Sequence, residues 1–322
     1  MINQVNKGLL FQDCRMEKIF IKTIPYLEEF LVDDVKSIIK IKPKKIDNEL
    51  YELNINFEDV FNTVYSLVNL SRTIDKIYMK EIKTKIGEYS FLKDTIKINN
   101  KEIEVYDLTS YILQSRKYLL HSNSDTLHHN LINYCSFKLG LDKKKKYSIM
   151  DPVSNYSEII IEIAAFNPRK PLYVNERYEM QIYENFKKII KKIPSFEKTK
   201  DSNKYISVVQ SDKAFKRSKE NLSKSSLKIK MSKIDLEWID LKYEEKSIDY
   251  IISLFPIYKS KKEYEKFLKE YFTQAKYLAK EKVCVISREE INKRYFSSNK
   301  LKLEFENIIE LDSIKYYIYI LK

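Results

Sequence analysis

Three carboxylates in this chain follow short apolar runs. Asp151 closes Tyr147-Ser148-Ile149-Met150, Asp212 comes just after Tyr205-Ile206-Ser207-Val208-Val209, and Asp235 comes just after Leu227-Lys228-Ile229-Lys230-Met231. A fourth run, Ile248–Ser253, leads into Leu254-Phe255-Pro256-Ile257-Tyr258, which offers a phenol but no carboxylate. A carboxylate accepts hydrogen bonds from the hydroxyls and amines of a ligand. Where strands alternate with helices, ligands sit at the carboxyl ends of the strands. Each acid also has a plainer reading: Asp212 as the N-cap of a helix beginning at Lys213, and Asp235 as a loop acid. Behind Asp151-Pro152 comes a polar turn, Val153-Ser154-Asn155-Tyr156-Ser157, and then Glu158–Ala165, which is apolar with an acid inside it.

The elements that must position these residues follow from periodicity. A short apolar run, a turn and an apolar helix over 147–166 open a βαβ unit. Further strands are expected at Tyr205–Val209, Leu227–Met231, Ile248–Ser253 and Lys282–Ser287, with a helix at Lys213–Leu222. Lys262–Lys280 repeats apolar residues at i, i+3, i+4 and i+7 throughout and reads as a long helix. Lys300–Ile309 and Ser313–Leu321 are separated by a short turn and should pair antiparallel. This order gives an α/β doubly wound sheet with a reversed last strand.

Upstream, Lys18–Ile24 and Glu49–Ile55 have strand composition, as does Thr73–Ile82. Tyr26–Ile39 and Phe57–Leu70, the latter capped by Asn56, are helical. This is a small α+β, split βαβ, ferredoxin-like pattern. The expected division is a ferredoxin-like domain over 17–85, a connector over 86–124 and a Rossmann-like domain over 125–322. Ser124–Leu139 is expected to form the helix that leads into the last of these. Asn167–Asn203 is a lysine-rich insertion with a helical core at Tyr183–Ile193.

Composition narrows the chemistry. The chain has 322 residues, a net charge of +13 and only three glycines, Gly8, Gly87 and Gly140, so no glycine-rich phosphate loop exists. The charge favours a polyanionic partner, and equally fits a simple lysine-rich composition. Lys143–Lys146 and Asn167–Lys200 are the segments best placed to meet RNA phosphates. Cys14, Cys135 and Cys284 are odd in number and in no metal spacing, and His121, His128 and His129 have no acid or cysteine at ligand spacing. No metal is expected, and the histidines read as helix-surface residues. No apolar run approaches the ~18 residues of a membrane span, and Met1–Asp13 lacks the apolar core of a signal peptide. The chain reads as cytoplasmic, with no membrane partner.

The stretch Tyr147–Phe166 resembles the first motif of the THUMP-associated RNA guanine methyltransferases, roughly D-P-x-C-G-S-G-T-I-x-I-E-A-A. Asp151, Pro152, Ile159, Ile161, Glu162 and Ala164 match in order, while Ser154-Asn155-Tyr156-Ser157-Glu158 replaces the central C-G-S-G-T. Ile24–Leu31 is similar to the family's P-G-L-E-x-x-L, Leu70-Ser71-Arg72-Thr73 to its W-S-R-T, and Asp107–Tyr118 to its D-x-[ST]-G-x-x-L-H-x-R-G-Y. Between these motifs the THUMP core appears only as a remnant. The resemblance implies a class I methyltransferase fold using S-adenosylmethionine (SAM) on a guanine amine of tRNA or rRNA.

It also implies roles. Asp151, Asn155 and Ser157 belong to the turn whose backbone N–H groups approach the methionine carboxylate. Asp212 would accept from the ribose hydroxyls and Asp235 from the adenine amine. Leu254, Phe255, Pro256 and Ile257 stand where the family carries N-P-P-Y, whose Asn accepts from the target amine. Tyr258 is displaced by one position from the family Tyr, where it would stack on a base. Arg72 would touch RNA, or offset the dipole at a helix C-terminus. Asn155 tolerates the left-handed backbone region a glycine would hold. Tyr156 adds a ring beside the cofactor path. Glu158 brings a charge near the methionine carboxylate, a repulsion of roughly 4 kcal/mol at about 4 Å. Three readings follow: an RNA-binding or partner-supporting protein that has lost catalysis, an active SAM-dependent RNA methyltransferase with an atypical site, and a structural subunit without RNA affinity.

Overall fold

The structure is a computed structural model that describes residues 16–56, 59–80, 92–109, 119–122, 126–144, 146–166, 202–225, 227–311 and 313–322. The chain divides into two compact units, one holding a six-stranded sheet and the other a seven-stranded sheet.

In the first unit, β1 (Met16–Thr23) runs into a 3-10 turn at Pro25–Leu27 and α1 (Glu28–Ile39). Pro25 fits the first turn because its missing N–H has no partner to lose there. β2 (Lys44–Asp47) and β3 (Leu50–Asn56) form a hairpin, followed by α2 (Val60–Leu70) and β4 (Ile74–Met79). The strand order β2-β3-β1-β4, antiparallel throughout, is the ferredoxin-like arrangement. β2 carries one apolar residue in four, so its periodicity was silent in the sequence. The hairpin is signalled instead by its turn, where Glu49 sits at φ 58.

The sheet continues past residue 85. β5 (Leu92–Ile98) and β6 (Lys101–Asp107) form a hairpin, and β6 pairs with β4. The expected boundary near 85 and the separate connector over 86–124 are corrected accordingly. The signal was the turn Asn99-Asn100, both with positive φ, which matches the twist of the flanking strands. The α2 helix begins at Val60 behind Asp59 rather than directly behind Asn56. Val60, Val64 and Leu67 of α2 pack with Leu31 and Val35 of α1 on Ile19, Ile21 and Ile77 of the sheet.

Ser71-Arg72-Thr73 performs a structural task. Asp34, buried on α1, accepts at Oδ2 from Ser71 Oγ (2.6 Å), Arg72 N (3.0 Å) and Thr73 Oγ1 (2.9 Å). This ties α1 to the α2–β4 turn. Arg72 is 3% exposed, so it does not face RNA, and its Nη1 donates to Ser71 O (3.3 Å) at the C-terminus of α2, where its charge offsets the helix dipole.

In the second unit, α3 (His129–Lys138) ends at Gly140, whose φ of 73 lets the chain reverse. Then come β7 (Ser148–Asp151), α4 (Glu158–Phe166), β8 (Lys204–Val209), α5 (Asp212–Ser225), β9 (Lys230–Lys233) and β10 (Ile248–Leu254). The chain closes with α6 (Lys261–Leu278), β11 (Ala279–Ser287), α7 (Arg294–Ser298), β12 (Leu303–Leu311) and β13 (Ile314–Leu321). The sheet order is β12-β13-β11-β10-β7-β8-β9, parallel except for β13, which is antiparallel to both neighbours. The third strand lies at 230–233 rather than 227–231, because its register is set by pairing with β8, Ile206 to Lys230 and Val209 to Lys233. Tyr271, Phe272, Phe267 and Leu268 of α6 pack on Ile251, Val283 and Val285. Each such buried side chain contributes about 1.5–3 kcal/mol. The expected helix at Tyr183–Ile193 and the lysine-rich insertion around it lie outside the described residues.

Candidate functional site

β7 pairs in parallel with β8 on one side and β10 on the other, so the strand order reverses at β7. Connections leave such a point in opposite directions and open a crevice at the strand ends. A cavity of 660 Å³ lies here, floored by Asp151 and walled by the segments that follow β7, β8, β9 and β10 and by α6.

Of the expected site residues, Asp151, Asn155, Asp235, Leu254, Phe255, Pro256 and Tyr258 line this cavity. Ser157, Asp212 and Ile257 are not among its lining residues. Asp212 opens α5 with its side chain 89% exposed and pairs with Lys233 Nζ at 2.6 Å. The capping role goes to Ser211, whose Oγ accepts from Ala214 N. The side chain facing the cavity at the end of β8 is Gln210, which donates from Nε2 to Pro152 O at 2.9 Å. Ile257 is 56% exposed.

Asp151 is buried. Its Oδ1 accepts from Val153 N (3.2 Å) and from Ser253 Oγ (3.0 Å), and Ser253 Oγ accepts in turn from Tyr271 OH (3.0 Å). Burial, reinforced by the nearby Glu158 charge, pushes the Asp151 carboxyl up to about 8 against these hydrogen bonds. At neutral pH it is therefore chiefly protonated.

The turn after β7 keeps a tight shape without glycine. Its left-handed residue is Ser157 (φ 63), not Asn155. Ser157 stands where the family motif has its second glycine, and its backbone strain is of order 1 kcal/mol. Two hydrogen bonds hold it, from its N–H to Ser154 Oγ (3.2 Å) and between its Oγ and Ser207 Oγ (2.7 Å).

Tyr156 does not lie beside the cavity path. Its ring turns under α5, where Arg217 donates to its hydroxyl at 2.7 Å and lies 5.4 Å from the ring centre. Asn221 donates from Nδ2 to Tyr156 O and to His121 O. His121 pairs with Glu220, and His128 caps α3 by accepting from Asn130 N, so neither is an idle surface residue.

Glu158 turns back into the loop. It is 2% exposed, and its Oε2 accepts from Tyr156 N at 3.1 Å. The N–H groups of Val153, Ser154 and Ser157 also have internal acceptors: Asp151, Val208 O and Ser154 Oγ. This turn fills its own anion cradle. SAM carries a carboxylate, and the residues present do not fit it here, since the N–H groups of Val153, Ser154, Tyr156 and Ser157 already have acceptors and a carboxylate stands among them.

The far wall is aromatic. Phe255, locked by its N–H to Ile286 O (2.8 Å), meets Phe267 at 5.0 Å and Tyr271 at 4.5 Å, and Tyr258 lies 5.3 Å from Phe267. Burial raises the Tyr258 phenol above its usual range. Leu254 presents no side-chain acceptor. Glu263, Lys266 and Glu270 on α6 also face the cavity. Their i, i+3, i+7 spacing around Phe267 was a readable signal that the sequence analysis did not use. Asp235 is exposed at the cavity edge, before a 3-10 turn at Leu236–Leu241. Among the described residues no cluster of three metal-ligating side chains occurs, and no helix is long and apolar enough to cross a membrane.

No family model and no curated protein matches the sequence. Solved structures do match in fold. A possible methylase from Clostridium difficile 630 aligns at TM-score 0.64 and 11% identity, over 95% of this chain and 98% of that one. SMU.472, a putative methyltransferase complexed with SAH, aligns at 0.62 and 10%, over 95% and 97%. TrmN from Thermus thermophilus aligns at 0.59 and 11%, over 96% and 99%. At such identities the likeness establishes architecture: the chain has a Rossmann-like class I methyltransferase fold preceded by a ferredoxin-like α+β unit.

Proposed function

We propose that this chain descends from the THUMP-associated RNA guanine methyltransferases, has lost methyl transfer, and acts as an RNA-binding protein. The observation that carries this reading is Glu158, buried in the turn after β7 with its carboxylate on the Tyr156 N–H. A cofactor carboxylate meets like charge at this place, where the Tyr156 N–H is already taken. Leu254 supports the same reading from the opposite wall. It stands where the family's Asn would accept from the target amine, and loss of one such contact costs about 100- to 1,000-fold in rate. The net charge of +13 favours a polyanion as partner. Of the basic run, Lys143 and Lys146 are exposed, whereas Lys144 is held by Glu281 at 3.0 Å.

Two observations favour the second reading, an active enzyme with an atypical site. Ser157 keeps the turn tight, and Asp235 and Gln210 still face the cavity. Incubation with labelled SAM and total tRNA and rRNA, alongside RNA filter binding across a salt series, separates the two. No label transfer with salt-dependent RNA binding supports the first reading. Label transfer overturns it, and absence of RNA binding leaves the structural-subunit alternative.

A further inference from the structure

Positive charge in the second unit gathers along the amino-terminal edge of its sheet, the edge away from the crevice. β12, β11, β7, β8 and β9 each begin at, or within two residues of, an exposed lysine: Lys302, Lys280, Lys146, Lys204 and Lys230. Strand register puts these lysines near one level. Lys204 faces Ser148, Lys230 faces Ile206, and Lys302 exchanges backbone hydrogen bonds with Lys322 at the foot of β13. β10 also has a lysine before it, Lys246, but its Nζ is taken by Lys276 O and Ala279 O at the end of α6. Three acids at this edge are matched. Glu281 pairs with Lys144 (3.0 Å), Glu304 with Lys282 (2.9 Å), and Asp249 accepts from Ser148 N and lies 3.9 Å from Lys280. Lys146, Lys204, Lys230 and Lys302 make no ion pair among the described residues. From β12 to β9 the row crosses the whole seven-stranded sheet, about 29 Å at about 4.8 Å per strand gap.

The crevice lies at the other end of the strands. Asp235, Glu237 and Glu263 line it, and Lys266 on its wall sits 3.4 Å from Glu270. The seven residues of β10 separate the two edges by about 20 Å, more than the ~8 Å over which charges act at physiological salt. A polyanion is therefore drawn to the lysine row and not to the crevice. The tyrosines beside the row, Tyr147, Tyr205 and Tyr250, are buried, so it offers charge for phosphates and no ring for bases. We infer that RNA docks along the amino-terminal edge of this sheet, on the far side from the crevice, and is held through its phosphates without regard to sequence. The inference rests on the RNA-binding reading and names the surface that serves it. Its length matches about eight phosphates of one strand, at about 3.4 Å of helix axis each.

The test is filter binding of total tRNA to the full chain across a salt series, with two variants of equal net charge. The first combines Lys204→Ala, Lys230→Ala and Lys302→Ala, at the middle and both ends of the row. It should lower the slope of log affinity against log salt by about 2 and weaken binding roughly 50-fold at about 0.15 M salt. The second combines Lys259→Ala, Lys261→Ala and Lys262→Ala, exposed lysines at the crevice end of the strands, beside Glu263 and Glu265. It should change affinity less than about twofold, since these charges lie off the track. Unchanged binding in the first variant, or a loss in the second as large as in the first, overturns the inference and leaves the RNA-binding reading standing. Failure of the wild type to bind tRNA overturns both.

Discussion

Replacing Asp151 by Asn should stabilise the seven-stranded unit, and by more at alkaline than at mildly acidic pH. Asp151 is an acid whose folded-state pKa is raised from 3.8 to about 8. Its contribution to stability is complete below the unfolded pKa and is lost as pH rises through the folded one. The shift spans about four units, and at about 1.4 kcal/mol per unit the whole window from about pH 4 to about pH 8 is worth roughly 5–6 kcal/mol. Between about pH 6 and pH 9 the wild type should therefore lose about 2–3 kcal/mol through this one carboxyl. Asn reproduces the protonated acid in shape. Its oxygen can accept from Val153 N and Ser253 Oγ, as Asp151 Oδ1 does now. Groups away from this turn titrate equally in both proteins, so the difference between them reports on Asp151 together with its coupled neighbour Glu158. The assay is urea denaturation at a series of pH values, followed by fluorescence of Trp238, the sole tryptophan of the chain and a residue of this unit. A stability difference that stays constant across the series would refute the assignment of a buried, protonated Asp151.

Further outcomes follow from particular contacts. Asp34→Ala leaves three donors at Ser71, Arg72 and Thr73 without their common acceptor, and should lower stability by about 3 kcal/mol in a circular-dichroism urea titration. Tyr156→Phe removes the 2.7 Å bond from Arg217 and should cost about 1 kcal/mol of stability; a change in ligand affinity without one in stability would mean the ring faces the cavity after all. Charge reversal of Lys143 and Lys146 should weaken RNA binding for all sequences alike and flatten its salt slope, by filter binding. Unchanged affinity in that variant would discard this surface.

The Rossmann-like order was legible because buried parallel strands read as continuous apolar runs, such as Ile248–Ser253 and Val283–Ile286. Asp151 was legible for the related reason that it directly terminates such a run. The two hairpins of the first unit were not, since Lys44–Asp47 has a single apolar residue and lies at a sheet edge, and both declare themselves only through turn residues with positive φ, Glu49 and Asn99-Asn100. Site residues failed where side-chain direction depends on distant partners. Tyr156 turns away from the cavity to meet Arg217, 61 residues on, and no local pattern encodes that pairing. Asp212 and Gln210 are two residues apart, and where α5 begins decides which of them faces the ligand. The role of Glu158 was half legible. Its charge was visible in the sequence, but its return to the Tyr156 N–H needed the folded turn.

The most direct test of the central claim is a calorimetric titration of SAM into the wild-type protein. A turn in which Glu158 already holds the Tyr156 N–H and places a carboxylate at the cofactor's own position predicts no saturable binding up to about 1 mM SAM, a free energy weaker than about −4 kcal/mol. Micromolar binding that Asp235→Ala abolishes, accompanied by transfer of label to RNA, would contradict it.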